Sequence, residues 1–401
     1  MARRVVITGM GAISPLGMGV DALYERWRDG VVGIEEWRGA CGEFDPTDVL
    51  SRKELRLTSR YVQLAVVAAH EAQEQAGWYD GLPTDPENIA CFVGSCYAGL
   101  EAIENEAVKL AMKGGRPDAL AVPNMLPDAA CAGVSIRYGL RGPSQCVATA
   151  CAAGGDAIAS AVRLIRSGEV DAAIAGGSES SMTDLCEKTA VRIGAVSRKG
   201  VSRPFDRRRD GFIPGEGAGM LTLEAAEVAE ARGADVIAEI IGIGASSDAF
   251  HVSAPSPDGR QAGRAISRAM DDAGVKPEEI SYINAHGTST PLNDKSETLA
   301  IKLALGEVAH EIPVSSTKSV IGHTLGAAGA LEAIATVESL RKRCAPHTVN
   351  YEEPDPELDL DYIPDKPRAL GNGASTNGSK LTALTNSFGF GGHNCVICIR
   401  A

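Results

Sequence analysis

The residues best suited to chemistry begin with Cys151, in the stretch Val147-Ala-Thr-Ala-Cys151-Ala-Ala-Gly-Gly. A short β-branched run ends in small residues, then the cysteine, then about four turns of helix-forming pattern, so the sulfur is expected at a strand-to-helix turn. At a helix start, unpaired N–H groups and the positive end of the dipole favour the thiolate, which is the nucleophilic form. Ala150, Ala152, Ala153, Gly154 and Gly155 are small enough to admit other backbone, as an oxyanion-binding site requires. The same surroundings also suit an inert, buried cysteine.

Three further stretches carry reactive types. In Ile283-Asn-Ala-His286-Gly-Thr-Ser-Thr-Pro291 a histidine ends a strand, the edge where ligands collect in open α/β sheets, although a plain turn would also accept it. Val314-Ser-Ser-Thr-Lys318-Ser-Val-Ile-Gly-His323 places a lysine and a second histidine between strand and helix, where a lone lysine is ordinarily solvated. Asn386-Ser-Phe388-Gly-Phe390-Gly-Gly-His393 reads as a glycine-rich turn holding two phenylalanines between strands. Its N–H groups can bind an anion and its rings can gate a pocket. Together, a cysteine, two histidines, a lysine and backbone donors suit decarboxylative thioester condensation. The cysteine takes an acyl group as a thioester, and two imidazoles hold the enolate left when CO2 departs from a malonyl thioester.

In these motifs and their order the chain resembles the β-ketoacyl-[acyl-carrier-protein] synthases of the synthase I/II type, in the condensing-enzyme (thiolase-fold) superfamily. The likeness runs from Val5-Val-Ile-Thr-Gly-Met-Gly to the Phe390 turn. It includes Arg203-Pro-Phe-Asp206 with Arg209-Asp-Gly-Phe, and Thr317-Lys-Ser-Val-Ile-Gly-His-Thr-Leu-Gly-Ala-Ala-Gly-Ala-Leu-Glu332. The resemblance implies an α/β thiolase fold, two similar α/β halves in a layered αβαβα arrangement, with the nucleophile in 1–245 and the histidines in 246–401. It implies Cys151 as nucleophile, His286 and His323 as the decarboxylation pair, and Lys318 and Glu332 as support. The N–H groups of Cys151 and Phe390 would form the oxyanion hole, with Phe388 and Phe390 at the pocket gate. It implies no cofactor and no metal, substrates carried as phosphopantetheine thioesters on an acyl carrier protein, and a homodimer or a heterodimer with a related ketosynthase-like subunit. Arg52, Lys53 and Arg56 match the family's carrier-docking helix, with Arg60, Lys113 and Arg116 as additions; the plainer alternative is a solvated face.

Two departures bear on the substrate. Tyr97 stands where elongating synthases carry a smaller aliphatic residue, so the pocket is expected to be shortened toward short or unusual acyl chains. The segment Asp184-Leu-Cys-Glu-Lys-Thr-Ala190 is more polar than a glycine-rich pocket segment, which favours a polyketide-type role. A degradative thiolase would need a second cysteine in Cys-x-Gly-x-Gly, and an initiating synthase would pair its histidine with asparagine; neither pattern is present. A catalytically silent partner subunit, such as a chain-length factor, would not need Cys151 and both histidines.

Elements that would position these residues can be read from the pattern. Strands are expected at the opening Val5 run, at 89–94, before Cys151, at 171–177, 280–284 and 312–316, and in a closing pair at 381–386 and 395–400. Helices are expected between them, with 117–127 and 197–219 as loops and 371–378 as a mobile loop. Ala152-Ala-Gly-Gly and Ala327-Ala-Gly-Ala open two similar helices, an internal echo that two like halves would explain. Apolar residues make up 44% of the chain and glycines number 45, which suits a compact α/β protein with close backbone contacts. A net charge of −13 opposes general nucleic-acid binding, so an acidic partner would need a local basic patch. Ten scattered cysteines and no signal-peptide pattern read as a reducing cytoplasm. Gly9-Met-Gly11 lacks the third glycine of a dinucleotide loop. Cys395 and Cys398 lie three apart on a strand and should face opposite sides, unable to chelate together.

Overall fold

The computed structural model describes residues 3–371 and 380–401, so that most of the 371–378 loop lies outside the described residues. The chain opens with strands β1 (Val5–Ser14) and β2 (Gly17–Met18), then helices α1 (Val20–Arg28), α2 (Arg52–Leu57) and α3 (Arg60–Ala76). Strand β3 (Ile89–Gly94) leads to α4 (Leu100–Lys113), α5 (Ala121–Met125) and α6 (Ala129–Tyr138). Then come β4 (Ser144–Val147), α7 (Ala153–Ser167), β5 (Ala172–Glu179), α8 (Asp184–Ile193), β6 (Gly217–Ala225) and α9 (Ala226–Ala231). The remainder begins with β7 (Ala238–Ser247), α10 (Arg260–Ala273), β8 (Ile280–Asn284), α11 (Pro291–Leu305), β9 (Val314–Ser315), α12 (Lys318–Ile321) and α13 (Ala328–Arg341). Strands β10 (Cys344–Ala345), β11 (Arg368–Ala369), β12 (Thr382–Gly389) and β13 (His393–Arg400) close it.

Ten of these strands run in the order β4-β3-β5-β6-β1-β7-β13-β12-β8-β9. The order is one pattern used twice. In β4-β3-β5-β6-β1 the first two contacts are parallel and the next two antiparallel, and β9-β8-β12-β13-β7 repeats that sequence of directions. Within the sheet, among the described residues, Val5–Ile7 of β1 and Ala238–Ile240 of β7 join the two units.

Helices α7 and α13 lie between the units, α3 and α6 cover the outer face of the first, and α10 and α11 cover the second, giving five layers. Three large apolar cores follow among the described residues, a central one around Ile158, Val162, Leu331 and Ile334 and an outer one on each side, with a small cluster of Val6, Ala226 and Ala229 besides. Alanines and glycines let α7 and α13 cross closely. A methyl on Gly154 would sit 2.8 Å from the carbonyl oxygen of Gly326, and one on Gly329 would sit 2.7 Å from the nitrogen of Gly155. The two halves of the internal echo are the helix starts that meet there.

Differences from the sequence reading have local causes. Within the expected loop 117–127, α5 forms, because Pro123 falls in its first turn where no N–H is required. Thr58 and Ser59 separate α2 from α3, and α2 is started by a capping box between Ser51 and Glu54. The polar segment after Thr183 is helical; the Thr183 hydroxyl accepts from the N–H of Cys186 at 3.3 Å. Cys395 packs in the central core and Cys398 in an outer one, on opposite faces of β13. Among the described residues no helix is long and apolar enough to cross a membrane.

Candidate active site

After β4 the chain makes a single 3-10 turn, Ala150–Ala152, before α7 begins. Ala150 is held at φ 51, a left-handed conformation that costs a residue with a Cβ. The second unit repeats the elbow: the 3-10 turn Leu325–Ala327, with Leu325 at φ 49, runs into α13. Cys151 and Gly326 are therefore equivalent positions of the two elbows.

Cys151, His286, His323, Tyr97, Phe388 and Phe390 all line one largely apolar cavity of about 910 Å3. The imidazoles of His286 and His323 are both 2% exposed and stand edge to face, with centroids 5.4 Å apart. Lys318 Nζ lies 3.3 Å from Nδ1 of His286 and is paired with the buried carboxylate of Glu332. The N–H of Leu325 donates to Nδ1 of His323 at 3.2 Å. With Nδ1 an acceptor in both rings, each imidazole carries its proton on Nε2. Burial, reinforced by Lys318, holds both histidines well below the usual imidazole range. Both are thus neutral N–H donors at pH 7. Burial pushes Glu332 up to about 7 against the pull of Lys318.

The sulfur does not follow the sequence expectation. Burial pushes the Cys151 thiol up to about 11, although Lys318 and the N–H of Phe390 both favour the thiolate. The N–H of Cys151 itself acts in the same direction, and desolvation in the apolar cavity outweighs all three. The N–H groups of Phe390 and of Cys151 itself face the sulfur. Phe390 is 38% exposed in the turn between β12 and β13, whereas Phe388 is only 8% exposed. The expectation of two phenylalanines in one turn is therefore corrected: Phe388 belongs to β12 and packs 5.9 Å from the His286 ring as fixed wall.

Tyr97 also lines the cavity, with Cys96 and Cys186. The cavity is nonetheless near the upper end of the about 300–1,000 Å3 common for small-ligand pockets, so Tyr97 lines it rather than filling it. Arg52, Lys53 and Arg56 are exposed on α2 and Arg116 is exposed after α4, all outside the cavity lining. Arg60 does not join them: its guanidinium is bound to the buried carboxylate of Glu216 at 2.7 Å and to the carbonyl of Cys41. The side chain of Lys113 lies outside the described residues.

Two buried carboxylates escaped the sequence reading. Glu297 of α11 accepts the N–H groups of His286 and Gly287 at 2.8 and 2.7 Å and the amide of Asn386 at 3.1 Å, fixing the end of β8. Glu179, the last residue of β5, lies beneath Cys96 and Tyr97. The available signal was a glutamate at the end of the all-small stretch Ala175-Gly-Gly-Ser-Glu179.

The Beta-ketoacyl synthase, N-terminal domain, family matches residues 2–229, and the Beta-ketoacyl synthase, C-terminal domain, family matches 237–352. The chain is 42% identical to a 3-oxoacyl-[acyl-carrier-protein] synthase 2 of Synechocystis sp., over 99% of this chain and 98% of that protein. It superposes with TM-score 0.88, at 33% identity and 100% coverage of both chains, on the ishigamide ketosynthase/chain length factor. It matches equally, at 32% identity, a type II PKS acyl-carrier protein in complex with its ketosynthase bound to the hexaketide, again over 100% of each chain. A duplicated strand unit whose paired elbows bring one cysteine to two histidines defines a thiolase-fold condensing enzyme. More narrowly, the chain belongs to the β-ketoacyl synthase family.

Proposed function

We propose that this protein joins an acyl group carried on Cys151 to a malonyl unit presented by an acyl carrier protein, with loss of CO2. The observation that carries this reading is that both histidines have Nδ1 occupied and offer Nε2–H donors at the wall of the cavity that holds Cys151. The Cys151 sulfur attacks the acyl thioester and keeps the acyl group, while its proton passes to the departing carrier sulfur, which leaves as a thiol. The malonyl C–C bond then breaks, CO2 leaves with its carboxylate oxygens, and the thioester oxygen takes the electron pair as an enolate held by His286 and His323. Neutral donors stabilise that charge without protonating the carbon that must react. The enolate carbon attacks the acyl-cysteine, whose oxyanion is held by the N–H groups of Cys151 and Phe390. Collapse breaks the bond to Cys151 and returns the electron pair to sulfur, which takes up a proton from solvent as the lengthened acyl group leaves on the carrier. Lys318 and Glu332 position His286.

The carrier reading is supported by exposed Arg52, Lys53, Arg56 and Arg116 on an otherwise acidic chain. A second ketosynthase-like subunit is supported by β4, which ends the strand order with two of its four residues exposed and two half-buried, and by exposed Ile136 on α6, the helix that packs on it.

The test offers a graded acyl-carrier series with malonyl-carrier and reads the mass of the Cys151 peptide together with CO2 release. Acyl mass on Cys151 is expected in the parent protein and in His323→Leu, which has no side-chain donor, with CO2 release from the variant reduced about 10²–10³-fold, as for loss of one oxyanion donor. No acyl mass on Cys151, or unimpaired CO2 release by His323→Leu, would refute the assignment.

A further inference from the structure

The two elbows are held from opposite chemical sides. Beside the first, the end of β12 aims a backbone donor, the N–H of Phe390, at Cys151. Beside the second, the corresponding strand β5 ends in an acceptor, the carboxylate of Glu179. Its Oε2 accepts the N–H groups of Cys96 at 2.6 Å, Tyr97 at 3.3 Å and Gly326 at 3.3 Å, and the hydroxyl of Ser95 at 3.4 Å. Glu179 is fully buried, and Oε1 has no partner among the described residues. The two turns it bridges already touch: a methyl on Gly326 would lie 2.5 Å from the nitrogen of Cys96.

We propose that Glu179 is a positioning residue for the condensation, its carboxylate locking the pocket-wall turn that carries Tyr97 to the turn that orients His323. The proposal rests on the reaction assigned above. The link to His323 is short: Gly326 donates to Glu179, and its neighbour Leu325 donates to Nδ1 of His323. A drift of the Gly326 turn would move the donor that fixes the His323 tautomer, and the same drift would release Cys96 and Tyr97 at the acyl wall. A carboxylate that served packing alone would be an expensive choice, since burial pushes it up to about 7 even with three amides to stabilise it. A proton arriving on Oε1 leaves Oε2 as a carbonyl acceptor. A glutamine in the same place therefore keeps the lock.

Glu179→Met, similar in length and lacking an oxygen acceptor, and Glu179→Gln are compared with the parent full-length protein. Hydrogen–deuterium exchange is read over 95–98 and 324–327, and CO2 release from malonyl-carrier is read as kcat and KM. With Met, exchange should rise in both segments together, kcat should fall roughly tenfold or more at unchanged KM, and the acyl chain-length profile should broaden. A misplacement of about 1 Å costs up to about 10²-fold, which sets that scale. With Gln, both segments and kcat should return to parental values. Exchange rising in one segment only, a parental kcat in the Met variant, or a Gln variant that melts normally yet keeps the Met phenotype would overturn the proposal. A parent protein that releases no CO2 would refute the reaction instead, and the exchange pattern would still decide the lock. Should the Met variant fail to fold, Glu179→Asp, one methylene short of the amides, is read by the same criteria.

Discussion

The acidity of Cys151 pits a helix start against burial, and the outcome can be measured. A thiol pushed up to about 11 is thiolate to roughly one part in 10⁴ at pH 7, whereas a free cysteine of pKa about 8.5 is thiolate to roughly 3%. The more basic thiolate is intrinsically the better nucleophile, with a Brønsted slope of about 0.4–0.5, which recovers roughly tenfold. Iodoacetamide should then label Cys151 some 20- to 30-fold more slowly than free cysteine, by the same thiolate fractions and slope. Burial also slows the reagent at every pH, so the slope and not the absolute rate carries the test. Labelling, read as the mass of the Cys151 peptide, should climb close to tenfold per pH unit from about 7 to 9.5, where free cysteine flattens above about 8.5. Two substitutions should move the curve in opposite directions. Lys318→Met removes the cation that favours the thiolate and shifts the climb to higher pH, while Glu179→Gln removes the anion that opposes it and shifts the climb lower. A plateau at or below pH 8 in the parent would mean that the α7 start and the Phe390 N–H outweigh desolvation, and the reasoning would be wrong.

Tyr97→Ala should shift the product profile toward longer acyl chains, because each methylene admitted or excluded by an apolar pocket is worth about 1–3 kcal/mol; an unchanged profile in a mixed acyl-carrier competition would exonerate Tyr97. Reversing Lys53 and Arg56 to Glu together should weaken carrier binding severalfold at low salt and much less at high salt, given about 0.2–1 kcal/mol per exposed pair. Titration of labelled carrier that gives one affinity for parent and variant would remove α2 from the docking surface.

How much of this was legible in the sequence depends on what kind of signal each residue leaves. Cys151 and His286 could be placed because each follows a strand pattern that ends in small residues, and strand ends in an α/β sheet are positions a sequence reveals. The internal echo was legible for the same reason, and it proved to mark two equivalent elbows. Burial was not legible. It pushes the Cys151 thiol up where a favoured thiolate was expected, draws Arg60 into a pair with Glu216, and hides Glu179 and Glu297, because a glutamate bound to backbone N–H groups leaves no periodic trace. Phe388 was misjudged because the glycines beside it suggested that the turn begins three residues too early; β12 runs on to Gly389.

The crossing of α7 and α13 also bears on the order in which the protein comes into being. The nucleophile belongs to the first repeat and both histidines to the second, and the contacts that join them span well over a hundred residues of chain. Closing so long a loop is slow, and during synthesis the first repeat is complete before the second exists. A chain halted or cleaved between the repeats would carry the thiol but neither imidazole, and so have no means of holding an enolate. Reactivity is in that sense a certificate of completed folding, issued only when both copies of the unit have closed on each other.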